Sequence, residues 1–254
     1  MKKFIALLLA LCLVLLLGGC MGVVAPMRQT VRGSGNVAEH ITPLTEPEEG
    51  FALRLTGISL RNANDVTLVI DETLDREIVV ETDSNIAEFI EVSLNERLNE
   101  ISIDVTRNVF LSPTRLNITV GAPVRALFID GAWRFRYNGP SVASMNIELN
   151  GAANGEMAFG ELESLTATLN GASKINMQGA ARQANLTLNG ASNIHAFDLL
   201  TEYASVTING AGSCEIAVEQ NLNAVINGLG NVFYDGNPTV SRQINGLGRV
   251  QARN

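Results

Sequence analysis

Cysteine, histidine and tryptophan are all scarce: three Cys, two His and one Trp in 254 residues. Each scarcity closes off a class of chemistry. Cys12 and Cys20 fall at the N-terminus and Cys214 stands alone. That leaves no pair for an intrachain disulfide and no thiolate cluster for a metal. Two histidines, His40 and His195, lack ordinary zinc spacing. They also offer little to a nucleophile triad, which needs His, Ser or Cys and an orienting acid together. No calcium-loop pattern occurs, and Glu156, Glu161 and Glu163 read as solvated charge. Asp130, Asp198 and Asp235 share no column of the repeat described below, which argues against polysaccharide cleavage. The expectation is therefore no catalytic residue, no metal and no cofactor.

The N-terminus reads as an address. Lys2 and Lys3 precede an apolar run from Phe4 to Leu17, too short for a typical membrane span and suited to a secretory leader. Leu17-Gly18-Gly19-Cys20 resembles the lipobox of bacterial lipoproteins. The resemblance implies that residues 1–19 are a signal peptide and that Cys20 is the lipidated first residue of the mature chain. Two or three acyl chains would hold it stably at a membrane. Without residues 1–19 the chain carries 16 basic and 26 acidic side chains, a net charge of −10, and Lys174 is the sole lysine. Such an acidic surface excludes nucleic acid as a natural partner. With no disulfide, the 235 remaining residues must hold together through their core, as one elongated domain or two small ones.

Against these absences stands one abundant feature. An Asn-Gly or Asp-Gly pair recurs at Asp130, Asn150, Asn170, Asn189, Asn209, Asn227 and Asn245, at intervals of 18–20 residues. Each is preceded by an alternating run rich in Thr, Val, Ile and Leu, which is strand chemistry. One residue before the anchor stand Ile129, Leu149, Leu169, Leu188, Ile208, Ile226 and Ile244. Five after it stand Phe135, Gly155, Ile175, Ile194, Cys214, Val232 and Val250. Two after it a column of Ala132, Ala152, Ala172, Ala191, Ala211, Leu229 and Leu247 reads as a further core column. This pattern predicts an all-β parallel β-helix of about seven rungs over residues 124–254, roughly 29 Å tall at the inter-strand spacing. Its corners would carry a ladder of Asn150, Asn170, Asn189, Asn209, Asn227 and Asn245, bonding to the corner backbone above and below. A sandwich of hairpins is the competing all-β arrangement, but its turns would recur about every 8–12 residues. In the β-helix register Cys214 is a core residue, and His195 lies in an outward column with Arg136, Glu156, Asn176, Glu215 and Phe233.

Residues 20–50 read as a lipidated tether with a lead-in strand, and residues 51–123 as a β-rich N-terminal cap. Whether that cap continues the coil or forms a separate layer is open, because its strand spacing is irregular. Three features together resemble a known family: "GSGNV" (Gly33 to Val37), "FALRLTGISLRNANDVTLVI" (Phe51 to Ile70) and the run of NGA/NGLG repeats. The chain resembles the head GIN domain of putative auto-transporter adhesins. The resemblance covers roughly residues 31–254 and implies a right-handed β-helix-like fold with no catalytic residues to carry over.

"WRFRY" (Trp133 to Tyr137) is the best binding hint. At period two its aromatics share one face and its arginines the other. Either the aromatics plug the first rung, or Trp133, with Arg134 and Arg136, forms a sugar-stacking or protein-contact patch. The expected function is that of a non-enzymatic, lipid-anchored cell-envelope protein. It would present a β-helix surface to a glycan or an envelope protein, in adhesion. A structural or stress-associated envelope role is the alternative, and a carbohydrate-active enzyme a third.

Overall fold

The computed structural model describes residues 29–44, 50–56, 66–105, 109–139 and 142–253. Cys20 and the leader lie outside them. The described strands are β1 (Gln29–Arg32), β2 (Val37–Pro43), β3 (Phe51–Thr56), β4 (Val66–Asp71), β5 (Glu77–Asp83), β6 (Ile90–Asn95), β7 (Glu100–Val105), β8 (Val109–Ser112), β9 (Leu116–Val120) and β10 (Val124–Gly131). They continue as β11 (Arg134–Gly139), β12 (Ser144–Gly151), β13 (Asn154–Gly171), β14 (Lys174–Gly190), β15 (Asn193–Gly210), β16 (Ser213–Gly228), β17 (Asn231–Asp235), β18 (Thr239–Gly246) and β19 (Arg249–Ala252). A short 3-10 turn at Ala87–Phe89 interrupts them.

From β10 onward each strand lies parallel on its copy one coil earlier. Ile129, Leu149, Leu169, Leu188, Ile208, Ile226 and Ile244 are paired residue on residue. All but the last are buried, so the aliphatic column forms a continuous shaft. The molecule is thus a parallel β-solenoid. Seven corner glycines, Gly131 to Gly246, bound six turns rather than seven rungs, because the last corner begins no further coil.

At each corner the glycine takes φ between +119° and +154°, which rolls the chain over. Strand alternation continues through the corner, and this corrects the expected facing of one column. The residues two after the anchor point outward, with Leu247 83% exposed. The residues three after it point inward instead: Trp133, Ala153, Ser173, Ser192, Gly212 and Gly230 are buried. The two serines fit because their hydroxyls serve the corner backbone. Ser173 Oγ accepts from the Ala153 N–H at 3.0 Å and Ser192 Oγ from the Ser173 N–H at 3.1 Å. The asparagine ladder also differs in its partners. Each amide donates to the asparagine of the previous coil rather than to backbone, from Asn170 to Asn150 through Asn245 to Asn227, at 2.7–2.8 Å.

The N-terminal segment extends both sheets of the solenoid. β3 lies parallel on β10 and β7 on β3; β4 lies parallel on β11 and β9 on β4. Antiparallel strands then close the end: β6 on β7, β5 on β9 and β2 on β5. The "GSGNV" motif is fastened here by a carboxylate 48 residues away. Asp83, with no exposed surface, accepts from the Gly35 N–H, the Thr114 N–H and the Thr114 hydroxyl, each at 2.7 Å. Burial acts to raise the Asp83 pKa, and the hydrogen bonds from Thr114, Gly35 and Arg115 outweigh it, leaving the carboxyl below the usual carboxylate range.

Asp83→Ala strips the Gly35, Thr114 and Arg115 donors of their acceptor and is expected to cost about 3 kcal/mol in urea denaturation at neutral pH. Because the folded pKa is depressed, that stability is present above the unfolded pKa of about 4 and lost as pH falls through the folded value. The gap between wild type and variant should therefore narrow in acid.

Candidate functional site

The sheet that follows each corner turns two outward columns toward solvent. Arg136, Glu156, Asn176, His195 and Glu215 form one, in direct register. Asn138, Ala158 and Gln178 form the second, and Asp198 joins it across a register shift. Between them runs a groove of about 550 Å³, floored in part by Met157 and Met177 and flanked by Phe197. Its far end is closed by Val69 and Asp71 from β4, the out-of-sequence strand stacked on β11.

Polar side chains in the groove are arranged as pairs across coils. His195 Nδ1 lies 2.7 Å from Glu215 Oε2, and Arg136 Nε 3.4 Å from Glu156 Oε2. The Arg136 pair is well exposed and contributes little to stability, so both members can exchange partners with a ligand. Asp71 is held below the usual carboxylate range by hydrogen bonds from the Thr73 hydroxyl and N–H, against a smaller opposing effect of burial. It also accepts from Asn138 Nδ2 at 3.3 Å. The groove therefore presents carboxylates, amides, an arginine and a histidine at repeating inter-coil spacing. Such a set can both donate to and accept from hydroxyl groups. A smaller groove of about 360 Å³ crosses the other sheet, with Gln183, Tyr203, Asn221 and Thr239 in one column and Asn185, Ser205, Asn223 and Ser241 in the next.

The structure divides the "WRFRY" residues. Trp133 is 1% exposed, so it forms no ligand-stacking face. Alternation along β11, begun by Trp133 just before it, turns Trp133, Phe135 and Tyr137 into the core and Arg134 and Arg136 outward. Tyr137 is fixed by donating to the Val124 carbonyl at 3.0 Å, and its ring meets Phe159 at 5.4 Å. Of the three proposed contact residues, Arg136 alone lines the groove. Trp133→Ala is accordingly expected to lower stability by about 3–5 kcal/mol, as for other buried large aromatics. Thermal or urea unfolding reads this directly.

Residues considered for chemistry fall apart in space or into other roles. Cys214 is fully buried, and burial, with a smaller contribution from Glu215, pushes its thiol up to about 12. Glu163 pairs with Arg182 at 2.8 Å. His40 lies exposed on β2. Among the described residues no group of three His, Cys, Asp or Glu is placed to hold a metal, and no helix is long and apolar enough to cross a membrane. The His195 column was readable from the repeat. Asp71 was not, because β4 reaches the groove out of chain order, and Phe197 and Asp198 were hidden by the register shift in β15.

A family model described as "Putative auto-transporter adhesin, head GIN domain" matches residues 54–238. Solved structures share the fold. A putative adhesin from Bacteroides fragilis superposes with a TM-score of 0.71 at 16% identity, covering 88% of this chain and 100% of its own. A putative adhesin from Parabacteroides merdae gives 0.61 at 18% identity, with 89% and 100% covered. A protein from Parabacteroides distasonis described as a putative lipid binding protein gives 0.65 at 19% identity, with 89% and 100% covered. No curated protein matches the sequence.

Proposed function

The chain belongs to the head GIN domain family of putative auto-transporter adhesins, and from that premise we propose that it is a lipid-anchored, non-enzymatic binding protein of the cell envelope. Family membership supports an extracytoplasmic or surface location, and Leu17 to Cys20 supplies the anchor signal. The groove over β11 and the first halves of β13 to β16 is the binding face. The observation that carries this reading is the stacking of paired acid, base and amide side chains along 550 Å³ of open groove. A polymer with many hydroxyls can follow such a row, gaining several modest polar contacts at a repeat near 4.8 Å. The columns of charged and amide side chains favour an envelope glycan over an acyl chain.

Asn176 lies mid-groove, outward and away from the core. Asn176→Arg fills the groove with a long cation while leaving the shaft untouched. The full chain would be tested on a glycan array and by sedimentation with purified cell-wall glycan. Wild type should be retained and Asn176→Arg should bind at least about tenfold more weakly, equivalent to about 1.4 kcal/mol, with an unchanged melting temperature. Equal retention of both proteins, or of neither, would refute the assignment. New reducing ends in the wild-type incubation would refute the non-enzymatic part.

A further inference from the structure

The two ends of the solenoid are unlike in a way that matters for assembly. Among the described residues, β18 pairs only with β16 and β19 only with β17; at the other end β2 pairs only with β5 and β6 only with β7. Among the described residues each end therefore presents an open strand edge, whose N–H and C=O groups are a template for another strand. The last coil is also unfinished in its packing. Ile244 is 37% exposed where the equivalent Ile226 and Ile208 are fully buried. On β2, Val37 and Ile41 are exposed on the outward face, in register with Asp83 and Val79.

Charge separates the ends further. Residues 29–105 carry 16 acidic and 5 basic side chains, whereas residues 236–254 carry no acid and three arginines. Glu39 stands on β2 and Glu91 on β6, while Arg249 stands on β19 and Arg242 on β18, over Ala224 with its Nη1 3.5 Å from the Val250 carbonyl. Strand directions are compatible as well. Two antiparallel steps, β9 to β5 and β5 to β2, leave β2 running with the parallel strands of its sheet, and so with β19 of a copy translated along the axis.

We propose that the chain stacks on itself head to tail, with the Arg242–Arg249 end of one copy seated on the Glu39–Glu91 end of a second. Two like ends would bring arginine against arginine, which disfavours a closed two-fold dimer. A heterologous contact between unlike ends does not close, so the product is an open string of copies. Each junction would cover Ile244.

The test is sedimentation velocity of the full-length chain in detergent, with three forms of the protein. Wild type should grow in mass with concentration at about 50 mM salt and fall to monomer at about 500 mM, where the Debye length shrinks to a few ångströms. Arg242→Glu/Arg249→Glu and Glu39→Arg/Glu91→Arg should each be monomeric, with association at least tenfold weaker and unchanged circular dichroism. Mixing the two double variants should restore long assemblies, since both junctions then regain opposite charge. A wild type that stays monomeric at low salt would overturn the proposal. So would a mixture that stops at a one-to-one pair, or association by wild type only after an anionic cell-wall polymer is added.

Discussion

Gly210→Ala is expected to cost about 3–5 kcal/mol, more than most single substitutions, although it adds one methyl group. Gly210 holds φ at +150°, a conformation that L residues rarely adopt. Its Cβ would also overlap the Gly190 carbonyl of the coil beneath. Neither partner can yield, because both are backbone in the middle of a stack. The same geometry recurs at Gly171, Gly190 and Gly228, where the carbonyl of the preceding corner is always the obstacle. Gly35 supplies the control. Its φ is +82°, yet nothing lies within 4 Å of where its Cβ would stand. Gly35→Ala should therefore show only the backbone term, about 1–2 kcal/mol. Urea denaturation of both variants beside wild type separates conformational strain from corner crowding. Similar losses in the two would mean that the corners are not stacked as described.

Cys20→Ser is expected to move essentially all of the protein from the membrane fraction to the soluble extracytoplasmic fraction. The argument rests on the lipobox-like Leu17-Gly18-Gly19-Cys20 and on acyl-chain arithmetic. Each buried methylene contributes about 0.8 kcal/mol, so one chain binds marginally and two hold firmly. No helix among the described residues offers an alternative membrane span. On the proposed lipidation, a serine cannot take the thioether-linked lipid, so the variant would lose its anchor. Fractionation and mass spectrometry of the N-terminal peptide read the outcome. A Cys20→Ser protein that still pellets with membranes would show that something other than the lipid holds it there.

How much of this was legible in the sequence depends on the range of the interaction concerned. The shaft of Leu169, Leu188 and Ile208 was plain, because stacking requires like residues at a fixed interval and the chain repeats them. Cys214 and His195 were assigned correctly to inner and outer columns for the same reason. The Ala172 and Leu247 column was placed on the wrong face because the corner was expected to break the alternation, whereas Leu169, Ser173 and Ile175 face inward and Ala172 outward in unbroken alternation. Trp133 shares the core face with Phe135 and Tyr137, as alternation alone requires. The cap was opaque for another reason. β7 stacks outside β3 and β9 outside β4, so spatial order departs from chain order and no local pattern records it. Asp83 and Asp71 are products of that folding back. Each acts on residues tens of positions away, Gly35 and Asn138 respectively.

Both the core and the binding groove depend on successive coils lying residue on residue. Disulfide trapping measures that register directly, since a bond forms only when Cα atoms lie about 4.4–6.8 Å apart, close to the spacing of adjacent strands. Thr168 and Thr187 are direct partners in the outward column before the corner, and Asn185 sits two residues out of step with Thr168. Mild oxidation should rapidly close an intramolecular bond in Thr168→Cys/Thr187→Cys and leave Thr168→Cys/Asn185→Cys reduced. Failure of the first pair to close, or equal closure of both, would contradict the stacked solenoid and every placement drawn from it.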